Sequence, residues 1–170
     1  MAAADELVDV VDGGDRVLRQ ATRAEMRRDN LLHRAVYLLV QNTAGDFFVH
    51  RRTATKDVYP GYWDVTVGGV VAAGEDYDLA ARRELAEEIG IVGAPITPLF
   101  AVRFEDASTQ LIGRAYLARS DGPVTLQAEE VAWGAFLSRA ETERILRDEP
   151  CCPDGVQVFR RYLAIESTTT

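Results

Sequence analysis

The stretch from Gly68 to Ile91, GGVVAAGEDYDLAARRELAEEIGI, constrains this chain more than any other. Two glycines and a pair of valines lead into Gly74-Glu75, where the chain turns. From Asp76 to about Ile89 the pattern predicts a helix. Asp76 and Asp78 put negative charge in its first turn, where the helix macrodipole favours it, and Gly90 is the expected C-terminal stop.

Turning each residue by about 100° sorts this helix into two faces. Leu79, Leu85, Ala86 and Ile89 form an apolar stripe, with Arg82 inside it and obliged to run its stem along it to water. Glu84, Glu87 and Glu88 fall almost opposite, close enough to interact. Ala80 and Ala81, one turn earlier, shield nothing, so the expectation is an open acidic face. Three carboxylates within one turn repel each other and raise each other's pKa unless positive charge sits among them. Arg83 reaches Glu87 at i+4 and offsets only part of this. A divalent cation offsets the rest, and an all-oxygen donor set suits Mg²⁺, Mn²⁺ or Ca²⁺. For an arbitrary helix containing Glu-Glu, a solvated face is the commoner outcome; the surrounding spacing argues otherwise.

That spacing is Gly69, five residues, Glu75, seven residues, then Arg83-Glu84-Leu85-Ala86-Glu87-Glu88-Ile89-Gly90-Ile91. It resembles the Nudix box of the Nudix hydrolases at all seven fixed and two apolar positions. The resemblance implies the Nudix fold, an α/β/α sandwich with a central mixed β-sheet, in which a strand-loop-helix motif presents Glu84, Glu87 and Glu88 to Mg²⁺ or Mn²⁺. It implies that Arg83 orients a glutamate, and that the reaction cleaves a diphosphate joined to another group.

The 170 residues fit one domain with a real core, residues 1–30 being an extension of it. A net charge of -8 argues against broad binding to nucleic acid or anionic membranes. It also requires local positive charge or metal to draw in an anionic substrate. The longest apolar run, Ala35 to Val40, is too short to span a bilayer, and the acidic N-terminus lacks a signal-peptide pattern. Cys151 and Cys152 are adjacent, make no disulfide framework and read as inert or packing thiols in a reducing cytoplasm.

In chain order, residues 6–21 read as a hairpin turning at Asp12-Gly13-Gly14-Asp15, and Thr22 with Glu25 as a capping box opening a short helix. The hairpin is expected either to pack on a neighbouring subunit, as in a homodimer, or to cover the site. Arg34–Gln41 and Phe47–Arg51 read as strands, the first buried on both faces. His33 reads as a packed or capping histidine. Arg51, Arg52 and Lys56 form the densest positive cluster near the acidic helix and are expected to bind phosphate. Tyr62 and Trp63 read as loop anchors in the core rather than stacking partners for a base. Strands over Ile96–Phe104 and Leu111–Ala118 follow, then one ending near Leu137. Ser138 and Glu141 cap a helix to about Arg147, and a last helix covers about Asp154–Ile165 with Val156, Phe159 and Leu163 on its apolar face, ahead of frayed residues 166–170. Glu129 or Glu130 is a further candidate ligand or base, although an exposed loop pair is the commoner role.

The flanks resemble the branch of the superfamily that includes isopentenyl-diphosphate isomerases, in which an Arg-Arg-x-x-x-Lys segment holds a diphosphate; this implies that role for Arg51, Arg52 and Lys56. His33 falls where that isomerase has a metal-binding histidine. Its catalytic cysteine falls at Gly68 and its following histidine at Val70, neither able to move a proton, whereas the full Arg-Glu-x-x-Glu-Glu run is kept. The residues therefore favour metal-assisted hydrolysis of a small-molecule diphosphate, with Glu87, Glu88 and Arg83 in the chemistry and the base among the helix glutamates, Glu129 or Glu130. An isoprenoid-diphosphate isomerase and a non-catalytic nucleotide- or metabolite-binding module are the alternatives.

Overall fold

A computed structural model describes residues 2–169. The strand His33–Gln41 (β3) organises them, and its six consecutive residues Ala35–Val40 are all buried. It pairs in parallel along its whole length with Gln110–Arg119 (β8). On its other side it pairs antiparallel with Val67–Val70 (β6). Alternate side chains of a strand face opposite ways. Val36, Leu38 and Val40 meet the helix Tyr77–Ile89 (α2), while Ala35, Tyr37 and Leu39 meet the helix Pro153–Thr169 (α4). Burial of each such aliphatic side chain stabilises the fold by about 1.5–3 kcal/mol. The result is the expected α/β/α sandwich around a mixed sheet.

Phe47–Arg52 (β4) extends the sheet from β3 and carries the short strand Trp63–Asp64 (β5) on one side and Val131–Leu137 (β9) on the other. Ile96–Glu105 (β7) lies against β8. The helix Arg139–Asp148 (α3) opens with the full Ser138/Glu141 capping box. The last helix runs four residues beyond Ile165, so residues 166–169 are helical rather than frayed, and Thr170 lies outside the described residues. Its buried contacts come from Val158, Phe159 and Tyr162; Val156 and Leu163 are only half-buried.

At the N-terminus, Leu7–Val11 (β1) and Val17–Thr22 (β2) form the hairpin. Asp12 holds its turn by accepting the Gly14 and Arg16 N–H groups at 2.8 and 3.1 Å. Val10 pairs with His33, which joins the hairpin to the main sheet. Thr22 accepts the Glu25 N–H at 3.1 Å and starts the short helix Arg23–Arg28 (α1), but the Glu25 carboxylate pairs with Arg19 at 2.9 Å, so the expected capping box is only half formed. Within this one chain the extension lies beside the acidic helix, and Glu6, Leu7 and Arg23 line the cleft over it. Trp63 packs edge-on to Trp133 at 5.4 Å as a core anchor, and Tyr62 lies at the surface against Tyr59.

Candidate active site

Asp76 caps α2 by accepting the Leu79 N–H at 2.8 Å, and Gly90 ends it in the left-handed conformation at φ 70°. The buried residues are Tyr77, Ala80, Ala81, Glu84, Leu85, Glu88 and Ile89, a stripe at spacings of three and four. The acidic face is therefore not open. Glu84 and Glu88 lie on the core stripe at 9% and 6% exposure, Glu87 alone stands at the rim, and Leu79 is 59% exposed instead of packed. Arg82 also lies at the surface, where it donates to the Ala94 carbonyl at 3.4 Å. Ala80 and Ala81, fully buried, let the helix approach the sheet closely. A Cβ at Gly69 would stand 2.7 Å from the Glu84 carboxylate, so the glycine in β6 is what gives that carboxylate room.

Arg83 ties the motif together. Its Nε and Nη2 donate to the two Glu75 oxygens at 2.9 Å each, Nη1 donates to Glu84 at 2.7 Å and Glu87 at 3.2 Å, and Nη2 also reaches the Val70 carbonyl at 3.1 Å. These bonds, that to Glu75 first, hold the guanidinium even more firmly charged than usual. Burial works against ionising Glu75, yet the Arg83 bonds hold its carboxyl below the ordinary range. Glu84 goes the other way, raised by burial that Arg83 only partly offsets. Glu88 is pushed up to about 8 by burial and then by the Glu84 charge, with Lys56 and Arg52 opposing. Its side chain makes no hydrogen bond among the described residues.

Two buried carboxylates at raised pKa, with hard oxygen donors and a glycine cradle, have the chemistry of a site for a hard divalent cation. Among the described residues no three such side chains already converge as an ion-holding group. Glu84 and Glu87 are drawn onto Arg83.

Opposite the glutamates lies positive charge. Arg52 turns inward and donates to the Val58 carbonyl at 3.2 and 3.0 Å. Lys56, its side chain 11% exposed, pairs with Glu130, and burial followed by the Arg52 charge lowers its pKa. Arg51 points elsewhere: it is exposed, donates to the Gly61 carbonyl at 3.1 Å and lines neither cavity described here. Of the loop pair, Glu130 faces the cleft and Glu129 is exposed.

Two basic residues escaped the sequence reading, Arg23 and Arg27 on α1. Both face inward and share Asp57, at 3.8 and 3.0 Å. The i, i+4 spacing of these two arginines was the one available signal.

A cleft of about 400 Å³ is lined by Arg23, Lys56, Gly69, Glu84, Glu88 and Glu130 among others. Adjoining it is a smaller cavity of about 80 Å³, lined by Arg23, Arg27, Arg52, Lys56, Asp64 and Asp154 among others. Asp64 accepts from the Thr66 N–H and hydroxyl at 2.9 and 2.8 Å, Asp154 from the Tyr37 hydroxyl at 2.9 Å, and burial raises both carboxyls. His33 also borders this cavity; its Nδ1 meets the Leu31 carbonyl at 2.9 Å and burial pushes it down to about 4, as fits a packed, neutral histidine. Cys151 and Cys152 are free, with thiols raised by burial, in keeping with packing roles. No helix among the described residues is long and apolar enough to cross a membrane.

This geometry coincides with what sequence comparison finds: residues 31–150 match the NUDIX domain family. The chain belongs to the Nudix hydrolases and is a pyrophosphohydrolase of that family, acting on small molecules and, as these enzymes generally do, with a divalent metal. An uncharacterized Nudix hydrolase of Streptomyces coelicolor is 44% identical over 167 residues, covering 96% of this chain and 92% of the relative. Another from Pseudomonas aeruginosa is 42% identical over 163 residues, covering 95% and 96%. Among solved structures, a Deinococcus radiodurans protein superposes with a TM-score of 0.80 at 28% identity, over 92% of this chain and 98% of that one. The NUDIX domain of Shewanella oneidensis NrtR, solved with ADP ribose, shares the fold at a TM-score of 0.65 and 18% identity, over 85% and 98% of the two chains.

Proposed function

We propose that the chain hydrolyses a phosphoanhydride bond in a nucleoside diphosphate derivative or a similar small metabolite in the cytoplasm, with Mg²⁺ or Mn²⁺ held by Glu84, Glu87 and Glu88. The observation that carries this reading is the pair of buried, partly unsatisfied carboxylates facing a basic wall across one cleft. The bound ion would neutralise charge developing on the diphosphate and make water a better nucleophile. Arg83 fixes the carboxylates by holding Glu75, Glu84 and Glu87 from one guanidinium. Arg52 and Lys56 bind the diphosphate oxygens. The base that takes a proton from water is one of the carboxylates lining this cleft, a helix glutamate or Glu130. Glu130 competes with substrate for Lys56 and is released when phosphate arrives. Residues 1–170 act as one unit, since α1 contributes to the cleft wall. The extension covers this chain's own site, with Glu6, Leu7 and Arg23 lining the cleft.

The flanking resemblance to isopentenyl-diphosphate isomerases extends, in this reading, only to phosphate binding. A side chain at Gly68 has no space: its Cβ would stand 2.0 Å from the Val36 carbonyl oxygen, at φ +155°. A proton-moving cysteine is thus excluded from that position sterically as well as by identity.

The test is turnover of a panel of nucleoside diphosphates, nucleotide sugars, dinucleotides and isoprenoid diphosphates, with and without Mg²⁺, beside the Glu84→Gln variant. Metal-dependent release of phosphate or nucleoside monophosphate that vanishes in the variant is expected. Substrate loss without phosphate release would point to isomerisation, and binding without turnover to a sensor module.

A further inference from the structure

The small cavity adjoining the cleft gathers four cationic side chains, Arg23, Arg27, Arg52 and Lys56, from three separate parts of the chain. Arg23 and Arg27 come from α1, Arg52 from the end of β4 and Lys56 from the loop after it. Such grouping opposes itself. The charges of Arg23 and Arg52 act, after burial, to lower the pKa of both Arg27 and Lys56. The counter-charges are carboxylates that can swing away: Asp57 on Arg23 and Arg27, Glu6 on Arg23 at 3.6 Å, and Glu130 on Lys56. Asp57, Glu6 and Glu130 have side chains 41%, 52% and 31% exposed, so each has water to move into.

Size and position narrow the occupant. At about 80 Å³ the cavity has room for several waters, and so for the oxygens of one phosphoryl group. It shares Arg23, Lys56, Gly68, Gly69 and Val70 with the cleft that holds Glu84 and Glu88, so a group in it remains connected to the acidic site. Asp64 and Asp154 also line it; Asp64 Oδ1 accepts from Thr66 and Asp154 Oδ2 from Tyr37, so an anion is expected on the side of the four cations.

We propose that this cavity is a subsite for the free terminal phosphate of the substrate, with Arg23 and Arg27 of the N-terminal extension as its clamp and Asp57 as the carboxylate the phosphate displaces. It rests on the hydrolase reading above and sharpens it. The substrate class is a nucleoside di- or triphosphate with an unesterified end, in preference to a nucleotide sugar or dinucleotide whose diphosphate is capped on both sides. Arg27 also donates to Thr109 at 3.3 Å, which aims its guanidinium toward the cavity. An oxygen-rich dianion matches two forked guanidiniums better than one carboxylate does.

Two measurements test this on the full chain. The first is calorimetric binding of pyrophosphate in EDTA, to the unaltered protein, to Arg23→Ala, Arg27→Ala and their double variant, and to Arg28→Ala as a surface control from the same helix. Charge-assisted contacts of this kind predict a loss of about ten- to a hundredfold in affinity for each single variant, with Arg28→Ala unchanged. Arg27→Lys should recover part of the loss. The second is kcat/KM for a nucleoside diphosphate against its sugar ester. The unaltered protein should prefer the free end by about tenfold or more, through KM, and the double variant should lose that preference. Absence of pyrophosphate binding, binding indifferent to both arginines, or an unaltered protein that prefers the capped substrate would overturn the subsite. Pyrophosphate binding that depends on both arginines, in a protein without turnover on any substrate, would uphold the subsite and overturn the hydrolase reading. Melting temperatures within a few degrees of the parent separate lost binding from lost folding, and the single variants serve where the double one is unstable.

Discussion

Replacing Glu88 by glutamine should make the metal-free protein more stable while abolishing turnover. The carboxylate is 6% exposed, makes no hydrogen bond among the described residues and is pushed up to about 8 by burial and by Glu84. In the unfolded chain the same group titrates at its ordinary value of 4.5. The folded pKa is the higher one, so the penalty is absent below pH 4.5, grows as pH rises above it and levels off beyond about 8. At pH 7 the displacement corresponds to about 3 kcal/mol. A buried glutamine amide also lacks partners there and gives part of this back, about 1–2 kcal/mol. The net expectation is a gain of about 1–2 kcal/mol, or a rise of about 2–8 °C in melting temperature for a chain of this size. Thermal denaturation of both proteins in EDTA across pH 4.5–8 measures it, and the gain should shrink on acidification and turn into a deficit of about 1 kcal/mol near pH 4.5, where only the cost of the glutamine amide is left. With Mg²⁺ added, the parent gains by mass action, about 2.7 kcal/mol at a hundred times its Kd, and the variant gains much less. Equal or lower stability of Glu88→Gln at pH 8 in EDTA would refute the assignment of Glu88 as a strained, functional carboxylate.

Three other perturbations follow from the same geometry. Gly69→Ala drives a methyl group to 2.7 Å from the Glu84 carboxylate, so the Mg²⁺ concentration for half-maximal activity should rise about tenfold or more, read by metal titration of the rate. Arg83→Lys keeps the charge but cannot hold Glu75, Glu84, Glu87 and the Val70 carbonyl together; kcat should fall about ten- to a hundredfold with KM little changed, and steady-state kinetics separate the two. His50 is buried against Phe48, its Nδ1 has no partner among the described residues, and burial pushes its pKa down to about 3, so the folded protein refuses the proton that the unfolded chain takes below pH 6.5. His50→Leu should therefore lose less stability on acidification, by about 2 kcal/mol at pH 5, measured by urea denaturation at pH 7 and 5.

The sequence carried the Nudix motif and most of the helices and strands, because capping residues, turn glycines and strand runs act locally; the two-residue strand β5, read as loop, has no such signal. It misassigned the facing of α2 for a reason that is itself informative. Reading the apolar stripe by hydrophobicity selected Leu79 and placed the glutamates in water, whereas Ala80, Ala81, Glu84 and Glu88 form the buried line. A helix that buries two carboxylates breaks the binary pattern, and such breaks concentrate at functional sites. Arg51 and Arg52 read as one cationic pair, but adjacent strand residues point apart, a correction that the two-residue period of β4 already allowed. The i, i+4 spacing puts Arg23 and Arg27 on one face of α1, but no local rule places that face at the cleft, which depends on the hairpin joining β3 through Val10 and His33.

That last dependence bears on where this enzyme's boundaries lie. The match to the NUDIX family starts at residue 31, after both arginines. Removing residues 1–30 would leave Glu84, Glu87, Glu88 and Arg83 in place, but would strip β1 from the sheet and two of the four cations from the small cavity. The matches at 42–44% identity cover 95–96% of the chain and so run through most of this extension too. An acidic protein of net charge -8 needs concentrated positive charge to attract a diphosphate, and half of the cations at the cavity come from that segment. The acidic helix would fix the metal and the site of chemistry, and the extension, by closing a phosphate-sized cavity beside it, would select which diphosphates reach that metal.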